Sequence, residues 1–410
     1  MALQDILKAA LFTPFGNERW GLPLLLEGEP GIGKSAIIEQ ICAANGLECE
    51  TLTASDRDPT DFSGLPFPDR EHKHVTRLVE GWMHDMFSSK RKVVFIDELS
   101  TVAGSVQAVL LRGVRSGVWA GREAPKGVRF IAAMNPSEIA SGGHKISQPL
   151  ANRFGWIDFP PPTPDQWGAY MMGAGQDVVR QTDTNRNRIK SAAKAPSLDP
   201  EAEEQRVLDR WTEEYARTTG LMVAATRALP HVMLNKPKNN DPAASKAWSS
   251  PRTLEYATRA LASASIHALS EVDTDIFFSS FVGDAVAMEI SKFRHQQDLP
   301  DPGRVLDGKE KFKHDKKRID RTWAVLAGCT TLVASPAAKD RKKRATALWE
   351  ILSEVADDAA DLVLKPVNIL ISKQLISLHK ETSMKLLEKL DPIVTAADIH
   401  WSGEQDSSTL

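Results

Sequence analysis

Apolar and polar positions follow two regimes along the chain. Up to about residue 165, short apolar runs of strand length alternate with segments of helical spacing, which predicts a parallel α/β sheet. The predicted strands are Leu22–Leu26, Glu50–Thr53, Val93–Asp97, Val128–Met134 and Trp156–Phe159. From about Asp165 the pattern becomes helices separated by polar loops. Ser197-Leu198-Asp199-Pro200-Glu201 offers a helix start, and helices are expected over Arg252–Leu269 and Asp273–Phe293. Gln181–Pro196 reads as a flexible polar insertion and Lys236–Ser250 as a polar loop. Leu299-Pro300-Asp301-Pro302-Gly303 marks a boundary, after which helical segments run to about Asp398 and the tail Ser402–Leu410 is expected to be disordered. The expected division is therefore an α/β core over 1–165, a helical region with its insertion over 166–298, and a C-terminal helical domain over 299–410.

Chemistry concentrates at the ends of the predicted strands. Gly28-Glu29-Pro30-Gly31-Ile32-Gly33-Lys34-Ser35 is a G-x-x-x-x-G-K-[ST] loop between a strand and a helix that opens with Ser35-Ala36. Such a loop curls its N–H groups inward at phosphate oxygens. Lys34 then reaches the β/γ phosphates, and the Ser35 hydroxyl can ligate Mg²⁺. The strand Val93–Ile96 ends in Asp97-Glu98, at the edge where open α/β sheets place ligands. Asp97 would hold Mg²⁺ and Glu98 would polarise an attacking water; a solvated acidic turn is the alternative. Phe130–Met134 ends in Asn135-Pro136, where the amide could reach the water or the γ-phosphate, although Asn-Pro also starts turns. Arg153, just ahead of the last strand, is either an arginine finger toward a neighbour or a surface salt bridge.

Composition adds limits rather than identity. The 410 residues are 26% charged and 42% hydrophobic, as in ordinary globular chains, and the net charge of −3 gives no general drive toward nucleic acid or an anionic membrane. Lys309–Arg321 and Lys339–Arg344 are basic, but the first is interrupted by Glu310, Asp315 and Asp320 and reads as a solvated helix face. No run approaches membrane-spanning length, Met1–Asp5 lacks a signal-peptide start, and Cys42, Cys49 and Cys329 are the three cysteines. A cytoplasmic location is the expectation. Trp323 and Trp349 lie among apolar residues at helical spacing and are expected in a core.

The set Gly28–Ser35, Asp97-Glu98, Asn135-Pro136 and Arg153-Phe154 resembles the AAA+ ATPases, and their MoxR-like branch in particular. Ser55-Asp56-Arg57-Asp58-Pro59-Thr60-Asp61-Phe62-Ser63-Gly64 resembles that branch's D-P-x-D-[FL]-x-G element. The resemblance implies a P-loop AAA+ core, then a helical lid and a further C-terminal helical domain. It implies inserted hairpins at Leu65–Leu78 and between Gly117 and Arg129. It places Arg252, in Ser250-Pro251-Arg252, at the lid position where an arginine meets the γ-phosphate of its own subunit. Asn152 stands where an acidic residue often precedes the finger, and Arg112 and Arg115 are rival trans arginines. ATP and Mg²⁺, a homo-oligomeric ring of hexameric type, a protein client and a von Willebrand factor A domain partner are likewise implied. A nucleic-acid translocase and a nucleotide-gated scaffold are the alternative functions.

Overall fold

In the computed structural model the described residues are 2–69, 71, 74–136, 145–169, 171, 198–238, 246–376 and 384–390. The expected insertion Gln181–Pro196, the end of the C-terminal helices near Asp398 and the tail Ser402–Leu410 lie outside them. The chain forms two compact units. One comprises Met1–Leu208 with Leu234–Ala287, the other Asp209–Met233 with Met288–Leu410. These limits differ from a division at 165 and 298, because the helices after residue 250 pack with the α/β core.

The first unit opens with α1 (Ala2–Leu11) and a small antiparallel hairpin, β1 (Pro14–Phe15) and β2 (Arg19–Trp20). Its centre is a five-stranded parallel sheet. The strands are β3 (Leu24–Glu27), β4 (Glu48–Thr53), β7 (Lys92–Asp97), β10 (Val128–Met134) and β11 (Gly155–Asp158), in the order β11-β3-β10-β7-β4. Near-continuous apolar runs suit strands covered on both faces. All of β10 is buried, as is β7 up to Asp97. Between the strands run α2 (Lys34–Ala44), α3 (Pro59–Ser63), α4 (Gly81–Ser88), α5 (Gly104–Ser116) and α6 (Gln148–Ala151), and α7 (Pro164–Ala169) follows β11. Both expected hairpins form, as β5 (Leu65–Asp69) with β6 (His74–Leu78) and β8 (Val118–Trp119) with β9 (Arg122–Glu123). Phe62, Trp82, Trp119 and Phe130 make an aromatic cluster under them, with ring centroids 5.3–6.2 Å apart along the chain of contacts.

Beyond the core, α8 (Pro200–Ala228) starts at the expected place. Next come α9 (Pro251–Ile266), α10 (Glu271–Val282) and α11 (Asp284–Gln296). The helix expected over Asp273–Phe293 is thus two helices. Gly283, at φ +80°, ends α10, and its backbone sits where a Cβ would lie 3.1 Å from the Ala247 carbonyl oxygen.

The second unit contains α12 (Pro302–Leu306), α13 (Ile319–Ala334) and the kinked α14 (Arg341–Ser372), whose core includes Leu326, Cys329, Leu348, Leu352 and Val363. Trp349 is buried there, and Trp323 is half-buried against the same core with the Arg227 guanidinium 4.2 Å over its ring.

One buried ion cluster fastens the start of α8 beneath the sheet. The Arg129 side chain, fully buried near the start of β10, donates to Leu11 O at 2.8 Å, Gly127 O at 2.6 Å and Glu204 Oε1 at 2.5 Å. Arg91 holds the other Glu204 oxygen at 3.0 Å. Replacing Arg129 by Met should therefore cost about 3 kcal/mol in urea unfolding, the low end for breaking a buried pair because Arg91 remains. Adding Glu204→Leu should recover most of that loss, whereas losses that simply add would show that the pair is not coupled.

Candidate functional site

The loop after β3 takes its shape from glycines at three places. Gly31 and Gly33 have φ of +78° and +93°, and a Cβ on Gly28 would lie 2.6 Å from Phe159 O. The loop therefore turns tightly and delivers Lys34 and Ser35 as the first residues of α2, with Ala36 following and the helix N-terminus turned toward the loop. The Lys34 ammonium donates to Gly28 O at 2.8 Å, Glu29 O at 2.8 Å and Asn135 Oδ1 at 2.9 Å. All three acceptors are neutral, and burial lowers the lysine pKa against the attraction of Asp97 and Glu29. An anion placed beside this charge would be bound by it. Pro30 and Ile32 complete the loop.

The strand ends on either side of this loop supply oxygens. The Ser35 hydroxyl donates to Asp97 Oδ2 at 2.6 Å, so the two groups expected to share a cation are in direct contact. Two hard oxygens from a hydroxyl and a carboxylate suit Mg²⁺, which would complete its shell with phosphate and water oxygens. Among the described residues no group of three or more His, Cys, Asp or Glu is placed to hold a metal by itself. Glu98 follows with φ +57°, a left-handed conformation uncommon for a residue with a side chain. Its N–H donates to Asp97 Oδ1 at 2.8 Å, its carbonyl accepts from the Thr101 hydroxyl at 2.8 Å, and its Oε2 accepts from the Ser55 hydroxyl at 2.7 Å. Ser55, just past β4, opens the Ser55–Gly64 segment, but nothing in the sequence gives it the contact with Glu98.

A second constellation lies at the opposite end of β11. A cavity of about 1030 Å³ is lined by Arg19, Arg112, Arg115, Arg153, Arg252 and Trp248, among others. Burial, and then the neighbouring charges of Arg252 and Arg115, lower the Arg153 pKa. Glu255 also lines the cavity but is engaged by Arg259 at 2.5 Å. The Nε atoms of Arg19 and Arg153 and the Trp248 Nε1 are buried donors without a protein acceptor. The cavity is a positively charged, donor-rich place suited to an anion.

Asn152 organises this end. It donates through Nδ2 to Trp248 O at 3.1 Å, while its Oδ1 accepts from the Ser250 hydroxyl at 3.0 Å and Arg252 Nη1 at 3.2 Å. The amide in place of an acid is thus explained, because an amide can donate and accept at once. Arg252 consequently stands with Arg153, not with Lys34. Gly155 pairs with Leu24 and Asp158 with Glu27, so Asn152 and Arg153 precede the end of β11 that lies opposite the loop. The expectation that Arg252 meets the γ-phosphate of its own subunit stands beside the observed contact of its guanidinium with Asn152.

Residues 23–154 match a family described as the AAA domain of the dynein-related subfamily. Midasin of Giardia intestinalis is 28% identical over 147 residues, which cover 33% of this chain and 3% of that protein. A crystal structure of a candidate ATPase from Cytophaga hutchinsonii aligns over 72% of this chain and 87% of its own, at 15% identity and a TM-score of 0.43. The matched segment, about a third of the chain, holds Lys34, Ser35, Asp97, Glu98, Asn135 and Arg153, so these residues lie in a domain similar to the AAA domains of that subfamily.

Proposed function

We propose that the chain is a MoxR-like, ring-forming ATPase that spends hydrolysis on remodelling a protein client. The observation that carries the reading is the meeting of Lys34, Ser35, Asp97 and Asn135 at the ends of three adjacent strand-to-helix connections. A nucleoside triphosphate would lie along the Gly28–Ser35 backbone with its terminal phosphates against the Lys34 ammonium. Mg²⁺, when held by Ser35 and Asp97, would neutralise charge on the β/γ phosphates. Asn135, bonded to Lys34, would hold the γ-phosphate or the attacking water. Glu98 would orient that water once its carboxylate leaves Ser55, so the 2.7 Å bond is a restraint on turnover.

The arginine cavity supports assembly. Its guanidinium groups repel one another, and among the described residues that line it the carboxylate of Glu255 is engaged by Arg259, while Arg153 precedes the end of β11 opposite the loop. A γ-phosphate presented by a neighbouring copy would relieve that repulsion. Arg153 and Arg252 would then act together in trans, with Arg112 and Arg115 beside them. Repetition of this head-to-tail contact closes a ring, and a hexamer is the form the MoxR resemblance suggests. The β5–β6 hairpin exposes Leu65, Phe67, Val75 and Leu78, which makes it a client-facing element in this reading, and a von Willebrand factor A domain partner belongs to the same proposal. Among the described residues no helix is long and apolar enough to cross a membrane.

Glu98→Gln should retain nucleotide binding and lower steady-state ATP hydrolysis by about 10²-fold or more, whereas Ser55→Ala should raise basal turnover. Unchanged hydrolysis in Glu98→Gln would refute the role given to Glu98. Arg153→Ala should be inactive alone and regain activity when mixed with Glu98→Gln subunits, because each supplies what the other lacks. Absence of recovery at every mixing ratio would move the trans role to Arg112 or Arg115.

A further inference from the structure

The cation from the segment before α9 that stands at the phosphate-loop end of the sheet is Lys246. Its Nζ lies 2.8 Å from Glu27 Oε2 and 3.6 Å from Asp158 Oδ1. Glu27 and Asp158 are paired in register as the last residues of β3 and β11, and Glu27 immediately precedes Gly28. The Glu27 side chain is only 12% exposed. Two carboxylates therefore stand side by side next to a loop whose proposed ligand carries several negative charges. Without a counter-charge they would raise the cost of bringing a polyphosphate to that loop.

Lys246 also belongs to a segment with a defined course. Two residues on, Trp248 O accepts from Asn152 at the other end of β11, and Ser250 caps α9 by accepting from the Thr253 N–H. The ammonium is thereby held between the two acids by the same stretch of chain that seats Arg252.

We propose that Lys246 is a positioning residue of the nucleotide site. By neutralising Glu27 and Asp158 it sets the affinity of the adjoining loop for nucleoside triphosphates, in proportion to the charge of the nucleotide. This rests on the reading of Gly28–Ser35 as a triphosphate loop. Lys246 acts through the carboxylates and is not required to touch the phosphates.

The test is equilibrium binding of fluorescent N-methylanthraniloyl ATP and ADP, with Mg²⁺, to the full chain and its variants, alongside ATPase kinetics. Lys246→Met should weaken ATP binding roughly threefold to tenfold, and ADP binding less, with the defect carried in KM rather than kcat. The defect should shrink in about 0.5 M salt. Lys246→Arg should preserve affinity, and Lys246→Met combined with Glu27→Gln should return it to within about twofold of the parent. A merely structural ion pair would not make the loss follow nucleotide charge, nor be relieved by removing Glu27's charge. Unchanged ATP affinity in Lys246→Met, or a loss that Glu27→Gln fails to relieve, would overturn the proposal while leaving the loop's function intact. Failure of the parent protein to bind either nucleotide would overturn both.

Discussion

The Lys34 ammonium is the joint on which the site depends. Its three donors tie the curled loop, through Gly28 O and Glu29 O, to the end of β10 at Asn135. Because all three partners are neutral, the bonds satisfy the lysine's donors without cancelling its charge. One residue later, the Ser35 hydroxyl ties the same helix start to β7 through Asp97. The loop, the acidic pair and the Asn135 amide are thus one hydrogen-bonded unit, preorganised in the way that an anion site requires.

Below this unit the sheet has a second charged end, and the two ends differ in kind. At the loop end, positive charge is modest and balanced, with Lys246 set between Glu27 and Asp158. At the other end several arginines crowd one cavity, organised by Asn152. A rigid strand keeps the two apart. That arrangement is the physical reason for proposing that catalysis needs more than one copy. The stretch from Lys246 to Arg252 runs between both ends, with Lys246 at Glu27 and Arg252 at Asn152.

Much of this was legible in the chain alone. The parallel sheet followed from apolar runs at Val93–Ile96 and Phe130–Met134, which are buried on both faces and carry a strong signal. The strand-end positions of Lys34, Asp97, Glu98 and Asn135 followed from their motifs. What stayed hidden depends on contacts between distant residues. Ser55 and Glu98 meet across 43 positions, and Arg252 and Asn152 across 100. No local pattern encodes either meeting. For Arg252 a family position says which residue is cationic but not which side chain it meets, here Asn152. The broken helix at Gly283 had a local signal, a glycine, but helical periodicity on both sides masked it. The division into units was also non-local, because α9 and α10 are separated from the core in sequence yet pack against it. Contacts of α10 with β11 and of α9 with α1 hold them there.

The most direct trial is an electron cryo-microscopy map of the Glu98→Gln protein incubated with ATP and Mg²⁺. The expected density is a triphosphate enclosed by Gly28–Ser35, with its terminal phosphate near Lys34, Asp97 and Asn135, and with Arg153 and Arg252 entering from the adjacent copy. A map showing nucleotide bound elsewhere, or Arg252 reaching the phosphate of its own chain, would contradict the arrangement described.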